Sequence, residues 1–193
     1  MRSLCVFCGS SAGHEPAYTE AARTLGRTLA GAKIRLVFGG GRVGLMGEVA
    51  NAALAAGGEA IGVIPNFLVE REIAHTGLTD LHVVGSMHER KAMMSGLSDG
   101  FVALPGGTGT LEEFFEVLTW AQLGEHAKPC GLLNVAGYYD PLLSVLDHMV
   151  GKGFLSKSNR ALVLVERDPG TLLAKLERYR PPETIKWVGG PET

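Results

Sequence analysis

GFVALPGGTGTLEEFFEVLTWAQL, residues 100–123, is the stretch whose reading decides the fold. Phe101, Val102, Ala103 and Leu104 form a short apolar run bounded by glycine and proline, as a buried strand does. Pro105-Gly106-Gly107-Thr108-Gly109-Thr110 turns the chain, and apolar residues then recur at helical spacing as far as Leu123. Strand, glycine loop and helix in immediate succession form the unit of a parallel sheet, because parallel neighbours need a crossover between them.

The same alternation continues in both directions. Strands are predicted at residues 4–7, 34–38, 60–64, 81–84, 100–104, 130–134 and 162–165. Helices are predicted at 16–30, 45–56, 86–97, 141–150 and 170–179, besides the one ending near Leu123. Pro16 suits a first helical turn, Gly57-Gly58 stops a helix and Pro65 breaks a strand. Residues 66–79 read as an irregular polar stretch. The strands are near-continuous apolar runs, which means helices on both faces of a parallel sheet. Right-handed crossovers then give a doubly wound, Rossmann-like α/β fold. One domain is expected over residues 1–180, with 181–193 as a loose tail.

The chain has 193 residues, 46% hydrophobic and 20% charged, enough to fill a core without disulfide or metal. A net charge of −2 supplies no basic field for a nucleic-acid backbone, so no nucleic-acid partner is expected. No apolar run approaches the ~18 residues of a membrane span. The start, MRSLCVFCGSS, has too short an apolar stretch for a signal peptide. A cytoplasmic protein with no membrane partner is expected. Cys5 and Cys8 spell C-x-x-C, but at that separation on a strand they face opposite ways, and they read as small core residues.

Gly9-Ser10-Ser11, Gly39-Gly40-Gly41 and Gly106-Gly107-Thr108-Gly109-Thr110 each follow a strand and precede a helix. All three therefore share the carboxyl rim of the sheet, where ligands of such folds bind. Glycine admits an anion to backbone N–H groups, and each helix start adds about half a positive charge. Together they read as a phosphate site, with Gly9, Ser10, Gly40 and Gly41 as additional phosphate or ribose contacts. Gly39-x-Gly41-x-x-Gly44 spells G-x-G-x-x-G, yet Glu59 precedes its strand, at the wrong end to meet a ribose. A mononucleotide or sugar phosphate fits better than a dinucleotide.

Residues 86–97, SMHERKAMMSGL, form a helix with Met87, Met94 and Leu97 on an apolar stripe and Arg90 and Lys91 elsewhere. Met87, Met93 and Met94 read as core filler. His88-Glu89 lacks the second histidine of H-E-x-x-H, and no other cluster has ligand spacing, so no metal and no cofactor is expected. Carboxylates near a helix start commonly serve the macrodipole, which is the plain reading of Glu112, Glu113 and Glu116. Glu112 and Glu113 stand about 100° apart around their helix, so one can serve a ligand while the other meets solvent or a basic partner.

Residues 105–113 match P-G-G-x-G-T-x-x-E in full. With Gly39-Gly40-Gly41-Arg42-Val43-Gly44-Leu45-Met46-Gly47 and Met87-His88-Glu89-Arg90-Lys91, the chain resembles the Lonely Guy family over residues 4–155. Members are cytokinin riboside 5′-monophosphate phosphoribohydrolases, formerly labelled lysine decarboxylases. The resemblance implies hydrolysis of the N-glycosidic bond of a purine nucleoside 5′-monophosphate, giving free base and ribose 5-phosphate. It implies Arg90 and Glu113 as the catalytic pair, and Lys91, Gly106, Gly107, Thr108, Gly109 and Thr110 as substrate contacts. Glu72 and Thr119 are weaker matches. Thr108 stands where many relatives have tyrosine. The base pocket is expected from residues 66–79 and the methionine helix.

The residue types suit that chemistry. Cleavage builds positive charge on the ribose, which a fixed carboxylate can stabilise, or the carboxylate can activate water. An arginine can hold the carboxylate ionised or bind a ligand oxygen bidentately. The resemblance also implies a homodimer with active sites near the subunit boundary. Leu111, Phe114, Phe115, Trp120 and Leu123 spread around their helix beyond the stripe one sheet can cover. The alternative is a non-catalytic nucleotide or cofactor carrier of similar fold, which needs the glycine loops but not Arg90 and Glu113 together. A decarboxylase using pyridoxal phosphate would need a lysine Schiff base, for which Lys91 is the only lysine in a candidate motif.

Overall fold

The structure, a computed structural model, describes residues 1–69 and 74–181. Strand β1 (Ser3–Phe7) forms the middle of a seven-stranded sheet. Its side chains alternate: Leu4 and Val6 enter one apolar cluster, Cys5 and Phe7 the other. That two-sided burial is why the strand reads as an unbroken apolar run. β2 (Arg35–Phe38), β3 (Ala60–Pro65) and β4 (Asp80–Val84) extend the sheet on one side. β5 (Phe101–Ala103), β6 (Cys130–Leu133) and β7 (Val163–Glu166) extend it on the other. The order is β4-β3-β2-β1-β5-β6-β7, parallel throughout. Winding goes outward from β1 to β4, then resumes at β5, so the switch point lies between β1 and β5.

The helices are α1 (Pro16–Gly31), α2 (Gly44–Ala55), α3 (Asn66–Val69), α4 (Met87–Gly96), α5 (Thr108–Leu123), α6 (Asp140–Gly151), α7 (Lys157–Arg160) and α8 (Pro169–Arg178). Leu25 and Leu29 of α1, Val49 of α2 and Leu172 of α8 fill the cluster on one face. Met94 of α4, Phe114 and Leu118 of α5 and Leu146 of α6 fill the cluster on the other. Each fully buried leucine or phenylalanine contributes about 1.5–3 kcal/mol by leaving water, and the large apolar residues Leu4, Phe38, Phe101 and Phe114 are all fully buried. The doubly wound α/β architecture is as the sequence implies.

Some elements differ from expectation. Residues 66–79 are not wholly irregular: α3 follows Pro65 directly, and Ala74 bridges to Gly41. Four residues are too few to show a 3.6-residue period. Pro65 does not break β3 early; it is the last residue of the strand, in register with Val84. Of the methionines read as core filler, Met94 is buried but Met93 is exposed, because it falls on the outer side of α4. The three cysteines are buried and free, and burial pushes the Cys130 thiol up to about 12. Among the described residues no helix is long and apolar enough to cross a membrane. Residues 182–193 of the expected tail lie outside the described residues.

Candidate active site

The three glycine loops meet at the switch point. The Gly9 N–H donates to Pro105 O (3.1 Å), and the Leu45 N–H donates to Gly9 O (3.0 Å). The first loop is therefore bonded to both of the others. Gly44 makes the contact with the second loop possible: it is left-handed (φ +57°), and a Cβ there would collide with the Ser10 backbone. The loops line a cleft of about 440 Å³ that contains Gly9, Ser10, Gly39, Gly41, Gly107, Thr108, Gly109 and Thr110. Helix α5 starts at this cleft with Gly107 as its N-cap and no side chain capping it. Its first N–H groups and the positive end of its dipole lie on the cleft side.

Arg90 and Glu113 close the cleft floor. Ser86 caps α4 by accepting the Glu89 N–H (3.2 Å), and the Glu89 carboxylate accepts the Gly85 N–H (2.8 Å). This fixed start aims Arg90 inward beneath β3, where its Nε donates to Val63 O (3.1 Å). Nη1 lies 3.7 Å from Met87 Sδ and 3.3 Å from Glu113 Oε1. Gly39 leaves room for this placement, since a Cβ there would displace the guanidinium. Both members of the pair are buried, with side chains only 10% and 11% exposed. Glu113 Oε1 is buried with no hydrogen-bond partner among the described residues. Burial pushes the Glu113 carboxyl above the ordinary range, while the Arg90 charge pulls it down less strongly. A buried carboxylate in the lining of this cleft is suited to a developing cation or to a water molecule.

Glu112 and Glu113 diverge as their helical positions require. They lie in the second turn of α5, not the first, so the macrodipole does not account for them. Glu112 also lines the cleft but is half exposed and pairs with Lys91, whose Nζ is 2.5 Å from Glu112 Oε1 and 3.0 Å from Glu116 Oε1. Burial of the lysine stem acts to lower its pKa, but the two carboxylates outweigh it and leave Lys91 raised.

The remaining expected residues divide. Lys91 is held by its carboxylates beside the cleft and does not line it. Gly106 and Gly40 shape the loops from behind, their carbonyls accepting from the Tyr138 hydroxyl (2.6 Å) and the His75 N–H (2.9 Å). Thr119 is exposed on the face of α5 that carries Glu112, two turns farther on, and its hydroxyl donates to Phe115 O (2.7 Å). Glu72 lies outside the described residues. Leu68 and Met87, from the region expected to form the base pocket, do line the cleft. Met46 and Ile64 join them, and no periodicity marked these two: one comes from α2 and the other from the end of β3. Met87 is thus a cleft residue and not core filler. Among the described residues no group of three or more His, Cys, Asp or Glu could hold a metal.

A family model described as "Possible lysine decarboxylase" matches residues 46–176. A probable cytokinin riboside 5′-monophosphate phosphoribohydrolase of Oryza sativa subsp. japonica is 54% identical over 93% of this chain and 79% of its own length. The cytokinin riboside 5′-monophosphate phosphoribohydrolase of Rhodococcoides fascians is 55% identical over 86% of this chain and 85% of its own. Among solved structures, the molybdenum cofactor binding protein of Rippkaea orientalis shares the fold with a TM-score of 0.69 at 23% identity, covering 91% of this chain and 95% of that one. On the family model and on relatives more than half identical over most of its length, the chain belongs to the Lonely Guy family of phosphoribohydrolases.

Proposed function

We propose that this enzyme hydrolyses the N-glycosidic bond of purine nucleoside 5′-monophosphates of the cytokinin type, releasing the free base and ribose 5-phosphate. The observation that carries the reading is the buried Arg90–Glu113 pair at the floor of a cleft rimmed by three glycine loops. Gly107, Thr108, Gly109, Thr110 and the start of α5 take the 5′-phosphate, with Gly9 and Ser10 opposite. Binding energy gained at that remote anion holds the sugar over Glu113. As the bond from C1′ to the base nitrogen stretches, positive charge grows on the ribose. Glu113 stabilises it and orients water, whose oxygen bonds to C1′. One water proton passes through Glu113 and ends on the departing base. Arg90, anchored to Val63 O, keeps Glu113 ionised and aimed.

Met46, Ile64, Leu68 and Met87 give the base an apolar wall. Lys91 steadies Glu112 and Glu116, and Thr119 lies on the face where a second subunit docks. The enzyme is a two-fold homodimer in this reading, since Leu123 is 70% exposed on α5 and Trp120 and Phe115 are only partly covered. Lys91 cannot serve a Schiff base readily, because two carboxylates hold it protonated. The carrier alternative has the shared fold behind it and gives Arg90 and Glu113 no task.

The test is a substrate panel of AMP, isopentenyladenosine monophosphate, GMP and the unphosphorylated nucleosides. Base release is expected to be much faster from the phosphorylated members, with adenine forms preferred. Recovery of every nucleotide intact after long incubation would favour the carrier.

A further inference from the structure

The segment leaving β6 has a geometry that the glycosidase reading does not use. Asn134, buried at the strand end, donates through Nδ2 to Asp140 Oδ1 (2.7 Å) and accepts the Tyr139 N–H on Oδ1 (2.7 Å). Between them Ala136 (φ 51°) and Gly137 (φ 76°) are both left-handed, which is costly for an alanine. The tight turn delivers two consecutive tyrosines to the entry of the third glycine loop. The Tyr139 hydroxyl donates to Leu104 O and the Tyr138 hydroxyl to Gly106 O, both at 2.6 Å. Pro105 O, between them, accepts the Gly9 N–H. Three successive carbonyls are each held by a donor from another element.

A trans peptide is planar and its N–H points opposite to its C=O, and the described residues contain no cis bond. Holding Gly106 O therefore fixes the direction of the Gly107 N–H, at the N-cap of α5. The Tyr138 ring also stands edge-on against Tyr18, with centroids 5.6 Å apart, and Tyr18 lies against Gly13 at the end of the first loop. One side chain thus ties the first loop to the third. We propose that Tyr138 is a positioning residue: its hydroxyl, through Gly106 O, aims the Gly107 N–H and so sets the affinity for the substrate's 5′-phosphate. This rests on the reading that the phosphate lies in that cradle.

Tyr138→Phe removes the hydroxyl and keeps the ring, at a position 39% exposed where the change is tolerable. Ribose 5-phosphate and adenosine, used as competitive inhibitors, probe the variant with and without phosphate. The inhibition constant for ribose 5-phosphate should rise roughly three- to tenfold, as for one lost hydrogen bond. The KM for AMP should rise with it, and the adenosine constant should stay put. Tyr139→Phe is the control: its hydroxyl holds Leu104 O, in a peptide unit whose nitrogen belongs to Pro105 and carries no hydrogen. It should lower the unfolding temperature without changing the ratio of the two constants. An unchanged ribose 5-phosphate constant in Tyr138→Phe, equal weakening of both inhibitors, or an equal shift in Tyr139→Phe overturns the proposal. If the unaltered enzyme binds ribose 5-phosphate no better than ribose, the cradle reading itself fails, and the role of Tyr138 falls with it.

Discussion

The two rims of the sheet carry clefts of similar size and unlike chemistry. At the amino ends of the strands a cleft of about 500 Å³ is lined by Arg2, Lys33, Arg35 and Glu59. At the carboxyl ends the cleft is about 440 Å³ and holds Arg90 with Glu113. The amino rim has more cations and the shorter ion pair, Arg35 Nε to Glu59 Oε2 at 2.7 Å, against 3.3 Å for Arg90 and Glu113. Yet the first pair is 47% and 55% exposed, and the second 10% and 11%. Water and salt screen an exposed pair to about 1 kcal/mol or less, while a buried pair keeps its field. Helices α1 and α2 also end near the amino rim, whereas the carboxyl rim receives helix starts and their N–H groups. Burial and helix direction, more than charge count or volume, separate a site from a surface.

The largest effect expected from this contrast is on the carboxylates. Glu113→Gln should lower kcat on the order of 10²- to 10⁴-fold, as for a lost acid–base group, while Glu59→Gln should leave steady-state rates within about twofold. Comparable losses in the two variants would erase the distinction between the rims.

Arg90→Met sharpens the contrast through pH. Burial already holds the Glu113 carboxyl high, and Arg90 is the first influence pulling it down. Removing the cation must raise that pKa further, so ionised Glu113 is reached only at higher pH. The acid limb of the kcat profile should move to higher pH, with a loss of about 10²-fold near neutrality. An acid limb that stays in place would detach Arg90 from the ionisation of Glu113.

A smaller effect is expected from the substrate side. Deleting the 5′-phosphate should reduce kcat/KM roughly 10- to 100-fold, as for one hydrogen bond to a charged group. Equal turnover of AMP and adenosine would empty the glycine loops of their role. Smallest of all, Glu112→Gln should cost under about fivefold, because Glu112 is itself 54% exposed and Lys91 keeps its second carboxylate, Glu116. A loss as deep as that of Glu113→Gln would show that the two carboxylates had been assigned the wrong way round.

How far the sequence could be read follows the same physics. The strands were legible because both faces are buried, so β1 and β3 show as uninterrupted apolar runs. The rim position of the loops follows from strand direction alone, and the divergence of Glu112 from Glu113 follows from helical geometry. The wall of Met46, Ile64, Leu68 and Met87 was only half legible, since it gathers side chains from four elements whose proximity depends on strand order. Met93 and Met94 are neighbours of the same type on one helix, and only the placement of α4 decides that one is buried and the other not. The hydroxyl contacts of Tyr138 and Tyr139 leave no periodic trace at all, because they depend on a left-handed turn at Ala136. Lys91 and Thr119 come from motif resemblance, and in this chain they lie beside the cleft and not in its lining.

The most direct measurement follows isopentenyladenosine monophosphate through the unaltered enzyme and Glu113→Gln, quantifying free base, ribose 5-phosphate and inorganic phosphate together. Base and ribose 5-phosphate should appear in equal amounts with the unaltered enzyme, no inorganic phosphate should form, and Glu113→Gln should slow both products in parallel. Release of inorganic phosphate with the glycosidic bond intact, or undiminished base release by Glu113→Gln, would contradict the assignment of the carboxyl-rim cleft as an N-glycosidase site.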